Sequence, residues 1–587
     1  MLSVVTPLIL STVAVPNNSN SQQPLPTAPI TRVLPADTPL VGLVNTKSED
    51  WQSLEEFELF KKAFNTAEKF FPAEMGFNYE RDIKSWLGDR VALALLPAKS
   101  TISVNIENNF LILAPVKDEK QLQVFIDKLK SDKRRKVTER EYKGIKILEW
   151  KPPQTTPTPP TKPPAPTSSN LPIKAVDSVP KLPEALPNPP KIPIPPKPSD
   201  IKRQQGLAIA FLPGYIATAN TAKPLEQLIS MPRGTKTLAQ NPHFQKTSQH
   251  PQFNQALFTL YEDPNTFLPL ALAIAKDPKS PFPLSTAGID LEQVKQYTAL
   301  DGLVWKQPEG LRLQINAYRR TPQPNLTNIL TPNSGQLLTR IPAPAYSTLS
   351  GRNVYQQWQM LVTAFNSNPQ FKDGLAKFST YVRSITGLDV DKDILSWMDG
   401  EYAFFTYPTT QGLLASELKI GMGLYVQTSD RSSAETTLNQ LNKSIKSIFS
   451  GALAITKPNV GNIPITSWEF GGQSVFAYSW VDNRTLLVST GLGAMTELLP
   501  QPKRQLPKDY NFATATNSFS RPNQGYFYIN MGSSLSWIYS FLPPTSDPSI
   551  QTFKKAIGTV YSFSSTSNIS SKQEQYDGLI VLAPERK

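Results

Sequence analysis

The residues whose types and spacing come nearest to chemistry are acidic. In "DVDKD", Asp389, Asp391 and Asp393 stand at alternating positions, the pattern that opens a calcium loop. Such a loop also needs Gly at its sixth position and Glu at its twelfth, where this chain has Ile394 and Gly400. The matching stretch upstream carries Asn78, Glu80 and Asp82. Carboxylates at a helix start satisfy free N–H groups and favour the positive end of the helix dipole, so these residues read as caps, and no metal is expected.

The other candidates weaken in the same way. Gly491 and Gly493 in "TLLVSTGLGAMTELL" lie between a strand and a helix, but Thr496 stands where a dinucleotide fingerprint needs its third glycine. The corresponding "YIATANTAKPLEQLI" has no glycine in its turn, so the turn is structural and no cofactor is expected. The two histidines, His243 and His250, sit in a Pro-containing polar stretch without an acidic cluster beside them, which argues against a metal site. No Gly-x-Ser-x-Gly elbow accompanies them. Ser416 and Lys419 have Ser-x-x-Lys spacing but precede a strand and lack the companion motifs. With no cysteine in the chain, thiol catalysis, disulfides and thiolate metal sites are excluded. Paired carboxylates of the glycosidase kind need only meet in space, so sequence alone neither nominates nor excludes them.

The elements that would position these residues occur twice. "GFNYERDIKSWLGDRVALALLP" (76–97) aligns without a gap to "GLDVDKDILSWMDGEYAFFTYP" (387–408), sharing Asp82/Asp393, Trp86/Trp397 and Pro97/Pro408 among others. Around this match the order of elements also repeats. "LPADTPLVGLVN" and "IPAPAYSTLSGRN" open the two stretches. An amphipathic helix follows each, a long one over "WQSLEEFELFKKAFNTAEKFF" in the first, and "VYQQWQMLVTAF" with "FKDGLAKFSTYVRSI" in the second. A strand, a helix and further strands then recur, closing on "LRLQINAYR" and "YDGLIVLAP". The pattern predicts an α+β protein of two tandem copies of one module, with largely antiparallel sheets, long helices packed on them and strand-helix-strand crossovers. Module one spans 31–320 and module two 337–587, with a linker at 321–336. Asp82 and Asp393 are expected as helix caps, and Trp86 and Trp397 as packing anchors for the strand that follows.

Residues 151–200 hold 18 Pro in 50 positions, a composition of polyproline-type or disordered chain. In the second copy the equivalent junction is the short turn "GGQ", so this stretch is an insertion in a hairpin loop of module one. At the other extreme of polarity, Leu2–Val15 is an apolar run suited to the h-region of an export signal or to an anchor, and residues 1–30 are assigned to that segment and its polar spacer. The run lacks the usual positive residues before it.

The chain has 587 residues with net charge +13, 39% hydrophobic and 10% aromatic residues, enough to build real cores. Its basic residues are spread along the chain; the densest run, "KSDKRRK" at 130–136, reads as a solvated turn. No nucleic-acid module is recognisable.

"LPADTP" after an export-like segment, then "GFNYERDIKSWLGDRVALAL", then "LAQNPHFQK" ahead of a strand, together resemble an uncharacterised family of exported proteins best represented in cyanobacteria, a domain of unknown function. The resemblance covers both modules and implies a location, periplasm or lumen, and a module, with no catalytic residue to carry over. The expected function is a non-enzymatic envelope protein that binds or scaffolds, with an envelope protein, polymer or membrane surface as partner. The alternatives are a carrier or chaperone for a hydrophobic ligand held between helix and sheet, and a hydrolase using carboxylates or hydroxyls. Oligomeric state is not set by the sequence.

Overall fold

The computed structural model describes residues 29–61, 79–98, 108–131, 136–150, 206–232, 234–276, 294–323, 333–366, 369–541 and 546–585. The first half supplies strands β1 (Leu40–Asn45), β2 (Arg90–Leu95), β3 (Phe110–Pro115), β4 (Val137–Tyr142), β5 (Ile145–Trp150), β6 (Leu207–Leu212), β7 (Tyr215–Ala219), β8 (Phe258–Glu262), β9 (Tyr297–Gln307) and β10 (Gly310–Arg319). The second supplies β11 (Ser347–Arg352), β12 (Glu401–Pro408), β13 (Ile420–Gln427), β14 (Leu453–Thr456), β15 (Thr466–Phe470), β16 (Gln473–Trp480), β17 (Thr485–Ser489), β18 (Tyr526–Asn530), β19 (Val560–Ile569) and β20 (Gln573–Leu582).

Every pairing among these strands is antiparallel. Neighbours in the first half run β4-β5-β6-β7-β3-β2-β1-β8-β9-β10. The second half runs β14-β15-β16-β17-β13-β12-β11-β18-β19-β20, the same order. Even the register shift at the far end of the last hairpin occurs in both, beside Arg319 and beside Val560. The closing strands then pair with each other, from Gly310↔Val581 to Tyr318↔Gln573. The halves therefore share one 20-stranded sheet. At the middle of that seam Gln314 lies opposite Asp577.

Two-residue alternation sorts the side chains of each strand between the faces. In β12, Glu401, Ala403, Phe405 and Tyr407 are buried, while Phe404 points to the other side. One face is covered in the first half by helices α3 (Lys223–Ile229) and α4 (Pro242–Ser248) and by the segment around Leu34. The second half repeats this cover with Tyr510–Thr516 and the segment around Ile341. The details match: Asn241 caps α4 by accepting from His243 N and Phe244 N, and Asp509 caps its helix by accepting from Asn511 N and Phe512 N. Phe244 then meets Tyr261 edge-on at 5.3 Å, and Phe512 meets Tyr528 at 5.1 Å.

The opposite face is bedded by α2 (Glu119–Lys130) in the first half and α8 (Arg431–Ile448) in the second. In α2, Leu122, Ile126 and Leu129 recur at three- and four-residue spacing and are buried. Its start is capped by Asp118, which accepts from Gln121 N at 3.0 Å.

Two assignments differ from the sequence reading. The long helix expected from Trp51 is interrupted: α1 (Ser48–Gln52) gives way to a 3-10 turn, Ser53–Glu56, Phe57 is extended, helical backbone resumes at 58–61, and the rest of the expected helix lies outside the described residues. Burial decides this, because Leu54 and Phe57 pack against Leu257 and against Leu582 of the second half, and Phe57 bridges to Pro584. Pro29 and Ile30, assigned to the spacer, belong to the fold, with Ile30 in the main core. The Pro-rich residues 151–200, the apolar run 2–15 and linker residues 324–332 lie outside the described residues. The strands flanking the Pro-rich stretch pair directly, Trp150↔Leu207, and their counterparts are joined by the turn Gly471-Gly472, both residues at positive φ.

Candidate functional site

The twice-used motif organises one wall of the candidate site. In the second half it forms a single wide turn, Val390–Leu395, with i→i+5 character. Asp389 caps it, accepting from Asp391 N at 3.0 Å and Lys392 N at 3.1 Å. These bonds, the one from Lys392 N foremost, hold its carboxyl below the usual range; the nearby Arg383, 2.6 Å away, adds to them. Asp393, expected as a cap, does not occupy the N-cap position; its carboxylate accepts from Asp389 N at 2.7 Å, the reciprocal bond of a capping box. Asp391 accepts from the indole Nε1 of Trp358. All three carboxylates are thus engaged within the turn or with its neighbours, and no metal-holding group of His, Asp or Glu occurs among the described residues.

In the first half the counterpart turn is Tyr79–Ile83. The residues before it, where Asp82 was expected to act as a cap, lie outside the described residues; the buried Asp82 carboxylate pairs with Lys128 of α2 at 2.6 Å and with Arg81 at 2.9 Å. Trp86 and Trp397 occupy the same place in the two halves. Each donates its Nε1 to the carbonyl of the residue four before it, Asp82 at 2.9 Å and Asp393 at 3.1 Å, and is 5% and 4% exposed. Trp86 packs on Phe125, and Trp397 on Ala434 and Leu438 of α8.

The turn Val390–Leu395 of the second half faces two helices. In the second half α6 (Val354–Asn366) and α7 (Pro369–Thr386) stand against it and enclose a groove of about 390 Å³. Val354 and Trp358 of α6, Phe378 and Val382 of α7, and Val390 and Ile394 of the turn line it. Gln357 is the polar side chain of the wall besides the Trp358 indole, whose N–H is spent on Asp391. The groove is open to solvent: Phe378 is 50% exposed. The sequence reading took the stripe containing Phe378 and Val382 as helix packing. Its one earlier signal was that the second half carries two amphipathic helices where the first carries one.

Apolar side chains are also exposed on the sheet of this half. Leu349 of β11 lies beside Phe404 of β12, and Ile580 of β20 beside Phe563 of β19, with Leu349, Phe404 and Ile580 each more than a third exposed. In the first half the comparable face is closed by α5 (Pro264–Lys276), whose Leu270 packs on Leu95 with Leu40 and Phe110 around it. The counterpart helix α9 (Met531–Tyr539) follows its strand in the same way but buries no residue, and Ile538 and Phe541 near its end are exposed.

The remaining candidates are structural. Gly491 has a positive φ, and a Cβ on it would lie 2.4 Å from the Ser474 carbonyl oxygen; a Cβ on Gly493 would lie 2.8 Å from Gly412 N. Lys419 ends a short helix in the left-handed conformation, and Ser416 bonds the carbonyl of Leu413. His250 accepts from Gln252 N at Nδ1, so its Nε2 donates to Gln314 Oε1 at 2.6 Å. Gln314 in turn donates to Asp577, the acceptor of the buried Arg312 across the seam at 2.9 Å. Asp577 also accepts from Gln575 at 2.7 Å. Beside it, Asp301 accepts from Thr247, Asn316 and Tyr318; burial raises its carboxyl, and these bonds oppose the rise. Sequence reasoning missed this seam network, in which each buried charge has its partners.

Among curated proteins no relative matches the chain. Two solved structures resemble it weakly. Crystal form III of TP0453 is 14% identical, with 44% of this chain and 82% of that chain covered and a TM-score of 0.22. Crystal form I of TP0453 is likewise 14% identical, with 41% and 74% covered and a TM-score of 0.19. At these scores the likeness assigns no function. Among the described residues no helix is long and apolar enough to cross a membrane. The family described as "Protein of unknown function (DUF3352)" matches residues 2–582, and the chain belongs to it.

Proposed function

We propose that this chain is an exported, non-catalytic binding protein built from two copies of one module, in which the second copy holds an apolar molecule between two helices and the Val390–Leu395 turn. The observation that carries the reading is the groove between α6, α7 and the Val390–Leu395 turn, walled by hydrocarbon and aromatic side chains. A pocket of that size and lining is the usual form of a small-molecule site. Leu349 and Phe404 add exposed apolar surface on the sheet of the same half. The identical strand order and register shift of the halves support the reading of two copies. Export rests on the apolar run 2–15.

The test is to purify the full chain without detergent, extract it with organic solvent and analyse the extract by mass spectrometry. A stoichiometric apolar molecule is expected. A chain that carries nothing, and binds no neutral apolar fluorophore, would sink the reading.

A further inference from the structure

We infer that the corner of the second half built by α9 and helix α10 (Pro548–Ile557) docks on a lipid bilayer with anionic headgroups. In α10, Ile550, Phe553 and Ile557 recur at three- and four-residue spacing, the stripe that a surface helix turns to its core. Here the stripe meets water: Phe553 is 62% exposed, and Ile550 is exposed with it. Lys554 lies over the Tyr539 ring of α9 at 4.7 Å, which brings the end of α9 alongside. There Ile538 and Phe541 are exposed too, and Trp537 meets Phe541 edge-on at 5.6 Å. None of these residues belongs to the groove wall. Clustered exposed apolar side chains mark a partner surface, and the charges around them say which kind. Residues 531–541 and 548–557 contain no carboxylate, and their only charged side chains are Lys554 and Lys555. Asp547, just before α10, accepts from Ile550 N at the helix start. Phenylalanine and isoleucine flanked by lysines, with Trp537 and Tyr539 beside them, have the makeup of a segment lying in a bilayer interface. Apolar side chains enter the acyl boundary there, and ammonium groups stay at the lipid phosphates.

The experiment mixes the full chain with vesicles of phosphatidylcholine, alone or with about a third phosphatidylglycerol, and measures binding by co-sedimentation. Binding to the anionic vesicles is expected to be at least about tenfold tighter. Phe541→Ser with Phe553→Ser, at exposed positions that leave the charge unchanged, is expected to weaken it by at least about tenfold. Lys554→Gln with Lys555→Gln is expected to weaken it by about tenfold. Because the chain has no cysteine, a Phe553→Cys variant takes a single polarity-sensitive nitrobenzoxadiazole label. Its emission is expected to brighten and shift to the blue on anionic vesicles. The same label at Val124→Cys, an exposed apolar position of α2 in the first half, is expected not to respond. Binding that ignores the two phenylalanines would be attraction by net charge alone and overturns the docking surface. No binding to anionic vesicles, or equal responses from the two labels, overturns it as well. Equal binding to both kinds of vesicle overturns the need for anionic headgroups.

Discussion

The two halves use the segment after their first strand in opposite ways. In the first half Leu54 and Phe57 lie down at the seam, on an apolar bed that includes Leu311, Val560 and Leu582. Counting from the matched hairpins, the positions related to that bed are Glu574, Tyr297 and Arg319. There Arg319 pairs with Glu574, and Tyr297 and Tyr576 donate to the same carboxylate at 2.7 and 2.8 Å. A paired polar cluster of this kind offers little to an apolar helix face. The segment of the second half is instead raised as α6, with Trp358 tied to the acidic turn, and a groove opens beneath it. One pattern of strands thus seats the start of this segment in two ways, on an apolar bed in the first half and against the acidic turn in the second.

The comparison can be broken at its strongest shared feature first. Trp86→Ala and Trp397→Ala are each expected to destabilise by about 3–5 kcal/mol, the range for a buried aromatic, because both indoles sit in equivalent cores. Chemical denaturation checks this, and unequal losses would show that the halves are not held in the same way. A smaller effect belongs to the first half alone. Desolvation at the end of β8, with Asp263 beside it, raises the Glu262 carboxyl to about 7. A raised acid stabilises the fold below its unfolded value near 4.5, and this contribution is lost as pH climbs through about 7. Glu262→Gln should therefore be near neutral at pH 4 and stabilising by about 2–3 kcal/mol at pH 8. The second half, with Ile529 there, has no such dependence at that position. Smallest of all, Phe378→Ala on the open groove should shift stability by no more than about 0.5 kcal/mol, as exposed substitutions do. A large loss would mean that the groove is closed in solution.

Much of the strand order was legible because alternation in segments such as "EYAFFTYP" and hairpins such as "LAIAFLPGYIATA" are local signals. The motif around Trp86 and Trp397 was legible because it is repeated. The roles of Asp82 and Asp393 were not. A carboxylate near a turn reads as a cap in sequence, whereas the Lys128 that claims Asp82 is 46 residues away. The groove was hidden for a related reason: Phe378 and Val382 have the spacing of any packed stripe, and only the missing cover distinguishes them. The seam lay furthest out of reach, since Arg312 and Asp577 are 265 residues apart. Its one local trace is Arg312, Gln314 and Asn316, polar residues on alternate positions of a strand otherwise read as core.

The pairing of β10 with β20 also sets a limit on growth. Each half presents the same edge to the other, so the contact is isologous and uses up both edges at once. Two such units complete the arrangement, and a third in the same chain would find no free strand of that kind to join. The outer borders, β4 and β14, are different surfaces, and β4 is guarded by Glu139, Arg140 and Glu141. A longer tandem would have to start a new sheet, whereas a head-to-tail repeat array extends without end.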